Sequence, residues 1–307
     1  MNTKKIFSHP VLSIVLCTVV CALWGSLYPC IKAGYGLLGI DTGFVPSVIL
    51  FAGIRFLICG AILTAGVSAK NKKFVLPLGK SFLPVFGVAI TTIVIHYSLS
   101  YSAISMCEAS KTAILKQIGY LFISCFAFIF VKTDKFTVKK VIGGILGFLG
   151  IIIVNLNGLN FSMGIGEIIV ILASFFSVAG TVISKKAFAV LEPAYIVAHS
   201  QLMGGIILTI AALVLGGRAT RFTAGSVGII VYICFASIVS YLLWNMLLKY
   251  NDISKMSIIK YLEPIFGTIF SGIIVKENVL RPEYFAAFAV IAAAILVSNV
   301  KLKKRVE

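Results

Sequence analysis

Lys260 and Glu263 are the residues of this sequence best placed to do chemistry. They stand in the stretch DISKMSIIKYLEPIFGTIFSGIIVKE, residues 252–277, with Pro264 next in line. Three residues apart, they share one helix face and can pair. The stretch is apolar and long enough to cross a bilayer, and a charge at membrane depth costs about 3 kcal/mol or more. Such a charge faces a partner or a watery cavity. An ammonium and a carboxylate so placed can bind a polar solute, and Glu263 is a candidate proton carrier. The alternative is a structural ion pair that fixes helix packing. Pro264 removes a backbone donor and should bend the helix.

Lys116 is the third candidate, and a repeat reveals it. The stretch EASKTAILKQIGYLFISCFAFIFVKTD, residues 108–134, lies 144 positions upstream of the first one. Without gaps, Ser110 meets Ser254, Lys111 meets Lys255, Lys116 meets Lys260 and Lys132 meets Lys276. The register continues outside it, at Tyr97 with Tyr241 and Asn155 with Asn299. Shared apolar character explains matched Phe and Ile but not matched lysines in a chain only 12% charged. An internal duplication in a membrane chain is a signature of transporters. No acid neighbours Lys116 on its own helix face, since Glu108 lies about 12 Å away along the axis. Lys116 therefore needs water, a partner on another helix or an anionic ligand.

These residues must be held by membrane helices. The 307 residues are 60% hydrophobic, with a mean hydropathy of +1.07, more apolar surface than a soluble domain of this length can bury. Ten apolar spans are predicted, at 11–34, 44–68, 82–104, 109–131, 138–157, 165–187, 195–215, 226–248, 254–275 and 283–300. The repeat divides them into five and five, residues 1–157 and 158–307. An odd number of spans per half makes the halves inverted repeats. With the N-terminus inside, eighteen basic residues fall on the inner side and five on the outer, so both termini are expected in the cytoplasm. The net charge of +17 is thus a topology signal rather than a nucleic-acid footprint. Lys4 and Lys5 precede an apolar run that has no small-residue cleavage site, and it reads as a first span.

The remaining polar residues are secondary candidates. Span one carries Trp24, Gly25, Tyr28, Pro29 and Lys32; Pro29 should kink it and Gly25 allows close packing. Tyr97, Tyr101, Trp244 and Asn245 are candidates for a solute cavity. Arg55, too deep to snorkel, reads as a packing element that bonds carbonyls. His96 and His199 read as hydrogen-bonded interior histidines, and Glu108 and Asp252 as helix caps. Gly143 and Gly147 favour a helix contact. The seven scattered cysteines, without CxxC or Cys/His clusters, read as small buried hydrophobes, and no metal or cofactor is expected. HExxH, GxSxG and paired aspartates are missing, which argues against a membrane-embedded enzyme.

The ten spans, the inverted halves, the WG…K text at 24–32, Arg55 and LEPIFGTIFSGIIVKE at 262–277 together resemble the EamA branch of the drug/metabolite transporter superfamily. In that family each half has a Pro in its fourth span and an acid at that helix's end. Pro264 and Glu277 match this in the second half. Gly119 and Tyr120 replace the Glu-Pro pair in the first, where Asp134 approximates the acid. The resemblance implies secondary transport by alternating access, with the site between the halves. The expected substrate is a small polar metabolite, an amino acid or related carboxylate-bearing solute. Phosphorylated or other organic anions are the alternative. The expected partners are that solute and the lipid bilayer of the cytoplasmic membrane, with no nucleic acid; a homodimer is compatible with the fold. Inversion should set Lys116 and Lys260 on opposite sides of the midplane, one meeting a substrate anion in each access state.

Overall fold

The computed structural model describes residues 3–72, 76–104, 109–154, 164–275 and 282–299. The expectations for Glu108, Asn155, Lys276, Glu277 and Arg281 lie outside these residues, as do the side chains of Lys111 and Ala287. Among the described residues every regular element is helical. After a short helix at Thr3–Phe7 come α1 (Pro10–Leu38), α2 (Val45–Lys70), α3 (Gly79–Ala103), α4 (Ala109–Phe130) and α5 (Val138–Val154). Then follow α6 (Ile165–Ala187), α7 (Pro193–Val214), α8 (Ala224–Tyr250), α9 (Ile253–Ile274) and α10 (Pro282–Asn299). Seven of these are long and apolar enough to cross a membrane: α1, α2, α3, α6, α7, α8 and α9. In α4 and α10 the described apolar stretches are shorter, at Leu115–Phe130 and Phe288–Ser298, and α5 has 17 residues.

Local sequence explains where the helices start and stop. Pro10 opens α1, and the His9 ring accepts from the Leu12 N–H at 3.3 Å. Gly39, at φ +60°, ends α1 in the left-handed conformation that glycine adopts without strain. Thr223 and Ser226 cap each other's backbone at the start of α8. Large apolar side chains such as Ile62, Val231 and Ile273 point outward, while serines, Arg55, Lys260 and Glu263 are buried. That polarity is inverted relative to a soluble protein, as a hydrocarbon solvent demands.

Two irregularities lie beside the cavity described below, the second of them at the helix that Pro264 was expected to bend. In α3, Ala89–Ile95 forms a π-helical segment, a widening often found at functional sites and one that the apolar periodicity did not signal. In α9 the helix is interrupted between Ile253–Ile259 and Leu262–Val275. Pro264 has no N–H for the Lys260 carbonyl, and its ring would collide with that carbonyl. The chain turns instead through Lys260 and Tyr261, where the Glu263 N–H donates to Lys260 O at 3.0 Å.

The two ends of the bundle differ. At one, Asn251 after α8 donates to Phe7 O at 2.8 Å, so the N-terminus, the end of α8 and the start of α9 lie together. Asp134, after α4, is 2% exposed and accepts from the Ser254 N–H at 2.9 Å and the Ser254 hydroxyl at 2.7 Å. Lys140 of α5 donates to Asp134 at 2.5 Å and pairs with Asp252 at 3.0 Å. The expectation that Asp252 caps α9 is therefore corrected: it makes no side-chain cap, and Asp134 supplies one from the other half. Asp252 turns to Lys140 because two carboxylates cannot both occupy the buried cap. At the opposite end the α1–α2 and α7–α8 connections join. Thr220 and Arg221 N–H groups both donate to Leu38 O at 3.0 Å, and Arg218 N–H donates to Ser47 Oγ at 3.0 Å.

Small residues set the close approaches. A Cβ on Gly25 of α1 would stand 2.7 Å from Gly267 N and from Phe266 Cβ of α9, so the bare glycine lets α1 lie against the helix that carries Glu263. Gly143 and Gly147 of α5 do make the expected contacts, with Ser298 of α10 and the ring of Tyr261. Gly119, where the family's Glu-Pro text is lost, faces the Ser174 backbone of α6; a Cβ there would stand 2.8 Å from Ser174 O.

Candidate functional site

A cavity lies among α1, α2, α3, α4, α6, α7, α8 and the break in α9. It offers about 100 Å³ to the centres of water-sized spheres, against the ~10–15 Å³ that one water needs. It reaches the end that carries the N-terminus, for Ser184 in the last turn of α6, Ile196 in the first turn of α7 and Leu248 near the end of α8 all line it.

Its charged centre is built around Glu263. The interruption of α9 aims Lys260 and Glu263 at each other, and their side chains form a direct ion pair. The approach at Gly25 brings Tyr28 of α1 within reach, and its hydroxyl donates to Glu263 Oε1 at 2.9 Å. Lys116 of α4 donates to the same hydroxyl at 2.6 Å and stands 3.6 Å from Glu263 Oε1. Lys116 thus finds its partner on another helix. Both lysines meet one carboxylate, Lys116 at Oε1 and Lys260 at Oε2. The Lys260 ammonium also lies 3.4 Å from the ring centre of Trp24, with Tyr120 at 5.2 Å and Trp244 at 5.4 Å. Three aromatic faces are a strong environment for a dehydrated cation.

A second polar group adjoins the first. Tyr97 and Tyr241, the pair matched in the repeat, share a hydroxyl–hydroxyl bond of 2.9 Å. Trp24 packs edge-on against Tyr241 at 5.4 Å. Arg55 of α2, 2% exposed, lines the cavity as well. Its Nε donates to Ser237 Oγ at 3.0 Å, not to a carbonyl as its sequence suggested. Its guanidinium lies over Phe56 at 4.6 Å and Tyr97 at 5.5 Å. His96 is hydrogen-bonded, as expected, to Ala173 O at 2.9 Å.

Of the candidates read from the sequence, Trp24, Tyr28, Tyr97, Lys116, Trp244, Asn245, Lys260 and Glu263 line the cavity. Tyr101 does not; it packs between the rings of Tyr35 and Tyr97. Sequence reasoning missed Thr92, Tyr120 and the hydroxyl row Ser177, Thr181 and Ser184 of α6. That row has helical spacing along one face, a signal present in the sequence but faint among so many buried serines.

Comparison with known proteins identifies the family. The family model described as EamA-like transporter family matches residues 11–156 and again 164–299. An uncharacterized transporter of Bacillus subtilis, YvbV, is 26% identical over 285 residues, covering 92% of this chain and 89% of that protein. An uncharacterized inner membrane transporter of Escherichia coli K12, YedA, is 23% identical over 288 residues, covering 90% and 87%. A solved crystal structure superposes with a TM-score of 0.76 over 92% of this chain and 95% of that one; at 16% identity it speaks for the fold alone. With matches across nearly its whole length, this chain belongs to the EamA-like transporter family.

Proposed function

We propose that the protein is a secondary transporter that carries a small carboxylate-bearing solute, amino acids included, across the cytoplasmic membrane through this cavity. The observation that carries the reading is the charge of the lining. Among the described residues, Arg55, Lys116 and Lys260 line it with Glu263 as their one acid, a surplus of two positive charges in a largely apolar surrounding. Uncompensated charge is expensive there, and a solute anion relieves it. Glu263 remains the proton-coupling candidate. The same surplus favours a second reading, a phosphorylated or other multivalent anion. Ten spans in two inverted halves, rocking about the cavity in alternating access, is the mechanism we propose. In that scheme the contacts of Leu38 with Thr220 and Arg221 close the outer end, while the cavity reaches the inner one.

Uptake into proteoliposomes tests the substrate class. Glutamate, succinate and glycerol phosphate should enter faster than putrescine. Preference for putrescine, or uptake of none of the four, would reject the reading.

Orientation is tested separately. Both termini belong in the cytoplasm by the basic-residue asymmetry. A single cysteine at Lys72 should resist membrane-impermeant maleimide in intact cells and react after lysis. Labelling in intact cells would reverse the assignment.

A further inference from the structure

Two residues that line the cavity each carry a buried polar atom without a hydrogen-bond partner: the indole Nε1 of Trp24 and Nη2 of Arg55. Both are donors only. No buried side-chain acceptor on the wall is left unpartnered in the same way among the described residues. The two residues pack against the same hydrogen-bonded tyrosine pair, the Trp24 ring against that of Tyr241 and the Arg55 guanidinium over that of Tyr97.

The charges around them are not equivalent. Lys260 is held by Glu263 and three aromatic rings, and Lys116 by Tyr28 and Glu263. Arg55 donates to a serine hydroxyl and stands within longer hydrogen-bonding range of the Tyr101 hydroxyl, and none of the ion pairs among the described residues includes it. A guanidinium offers five N–H donors in a fork that fits an oxyanion. Leaving such donors unmet in a buried wall is costly, so they are met when a ligand that only accepts is present.

We propose that Arg55, with the indole N–H of Trp24, is the oxyanion subsite of this cavity and sets specificity for the solute's carboxylate or phosphate group. Lys116, Lys260 and Glu263 form an internally paired anchor beside it, two ammonium groups sharing one carboxylate. The inference rests on the proposed anion class but assigns it to residues other than the two lysines. Its rival is the Tyr101 hydroxyl, which makes no close hydrogen bond but lies within longer hydrogen-bonding range of Arg55. A side-chain shift that joined these two would satisfy Arg55 without a ligand.

The chain has two tryptophans, Trp24 and Trp244, and both line the cavity, so intrinsic fluorescence reports its occupancy. The experiment titrates the purified protein in detergent with succinate, inorganic phosphate and putrescine. Succinate or phosphate should change the wild-type signal, and putrescine should not. Arg55→Gln should weaken anion binding roughly tenfold or more, the size of one lost charged hydrogen bond. Arg55→Lys should recover part of it, and Lys116→Gln, which removes a more distant positive charge, should weaken binding less than Arg55→Gln does. Tyr101→Phe should leave binding unchanged or tighter. If Arg55→Gln does not fold, Trp24→Phe keeps the Trp244 reporter and should weaken binding in the same direction. An anion-binding wild type whose affinity survives both Arg55→Gln and Trp24→Phe, or falls more with Lys116→Gln, overturns the subsite and leaves the anion class standing. A wild type that answers only to putrescine, or to none of the three, overturns both.

Discussion

Glu263→Gln should destabilise the protein more than replacement of either lysine that it holds. The carboxylate is 4% exposed and has three partners: the Lys260 ammonium, the Tyr28 hydroxyl at 2.9 Å and Lys116 at 3.6 Å. Removing its charge leaves two ammonium groups facing a neutral amide and each other. Breaking a buried pair in this way costs about 3–5 kcal/mol, because the orphaned charge stays behind. Lys116→Met should cost about 1 kcal/mol or less. Its side chain is 22% exposed, so solvent screens the pair, and Glu263 keeps Lys260 and Tyr28. Lys260→Met should fall between the two, since a thioether suits the aromatic faces of Trp24 and Trp244 that the ammonium leaves.

The decisive comparison is a double variant. Adding Lys116→Met to Glu263→Gln removes one of two repelling cations, so the double variant should melt above Glu263→Gln alone. Thermal unfolding in detergent micelles reads all four variants against wild type. If Glu263→Gln melts with wild type, or the double variant melts below it, Glu263 is not the neutralising centre of the site.

Much of this site was legible in the sequence, and the illegible part has a common physical cause. Lys260, Glu263 and Pro264 were visible because charge and proline are rare at membrane depth. Lys116 was visible because its lysine repeats in register. Helix positions followed from hydropathy, which bilayer thickness constrains. What the sequence does not encode locally is which helix supplies a partner. Lys116 finds Glu263 only because Gly25 lets α1 lie on α9 and deliver Tyr28 between them. The Asp252 cap failed for the same reason: a local N-terminal carboxylate is the default, and a better-buried one arrived from α4. Arg55 read as a packing element that bonds carbonyls; it is buried and packed, but its partner is the Ser237 hydroxyl of another helix, which one basic residue in a sequence cannot announce. The π-helical segment of α3 has no apolar period of its own to betray it.

The second large effect belongs to Asp134. Asp134→Ala should destabilise by about 3–5 kcal/mol, because it orphans a buried lysine and uncaps a helix in one step. Asp134 accepts from the Ser254 N–H, the Ser254 hydroxyl and Lys140. Lys140, itself 4% exposed, would retain the Lys135 carbonyl at 2.7 Å and Asp252 at 3.0 Å. Asp252 is 34% exposed, so its charge is screened and it cannot replace the buried one. Asp252→Ala should therefore cost about 1 kcal/mol or less, and Asp134→Asn should fall between, since an amide still accepts one bond from Ser254. The first helix of α9, Ile253–Ile259, leads directly into Lys260. A loosened cap should for that reason also loosen the charged centre, and ligand-induced thermal stabilisation should shrink in Asp134→Ala but persist in Asp252→Ala. Unfolding temperatures with and without succinate measure both effects. Equal melting of Asp134→Ala and Asp252→Ala would show that the two carboxylates share the cap, and the cross-half anchor would have to be abandoned.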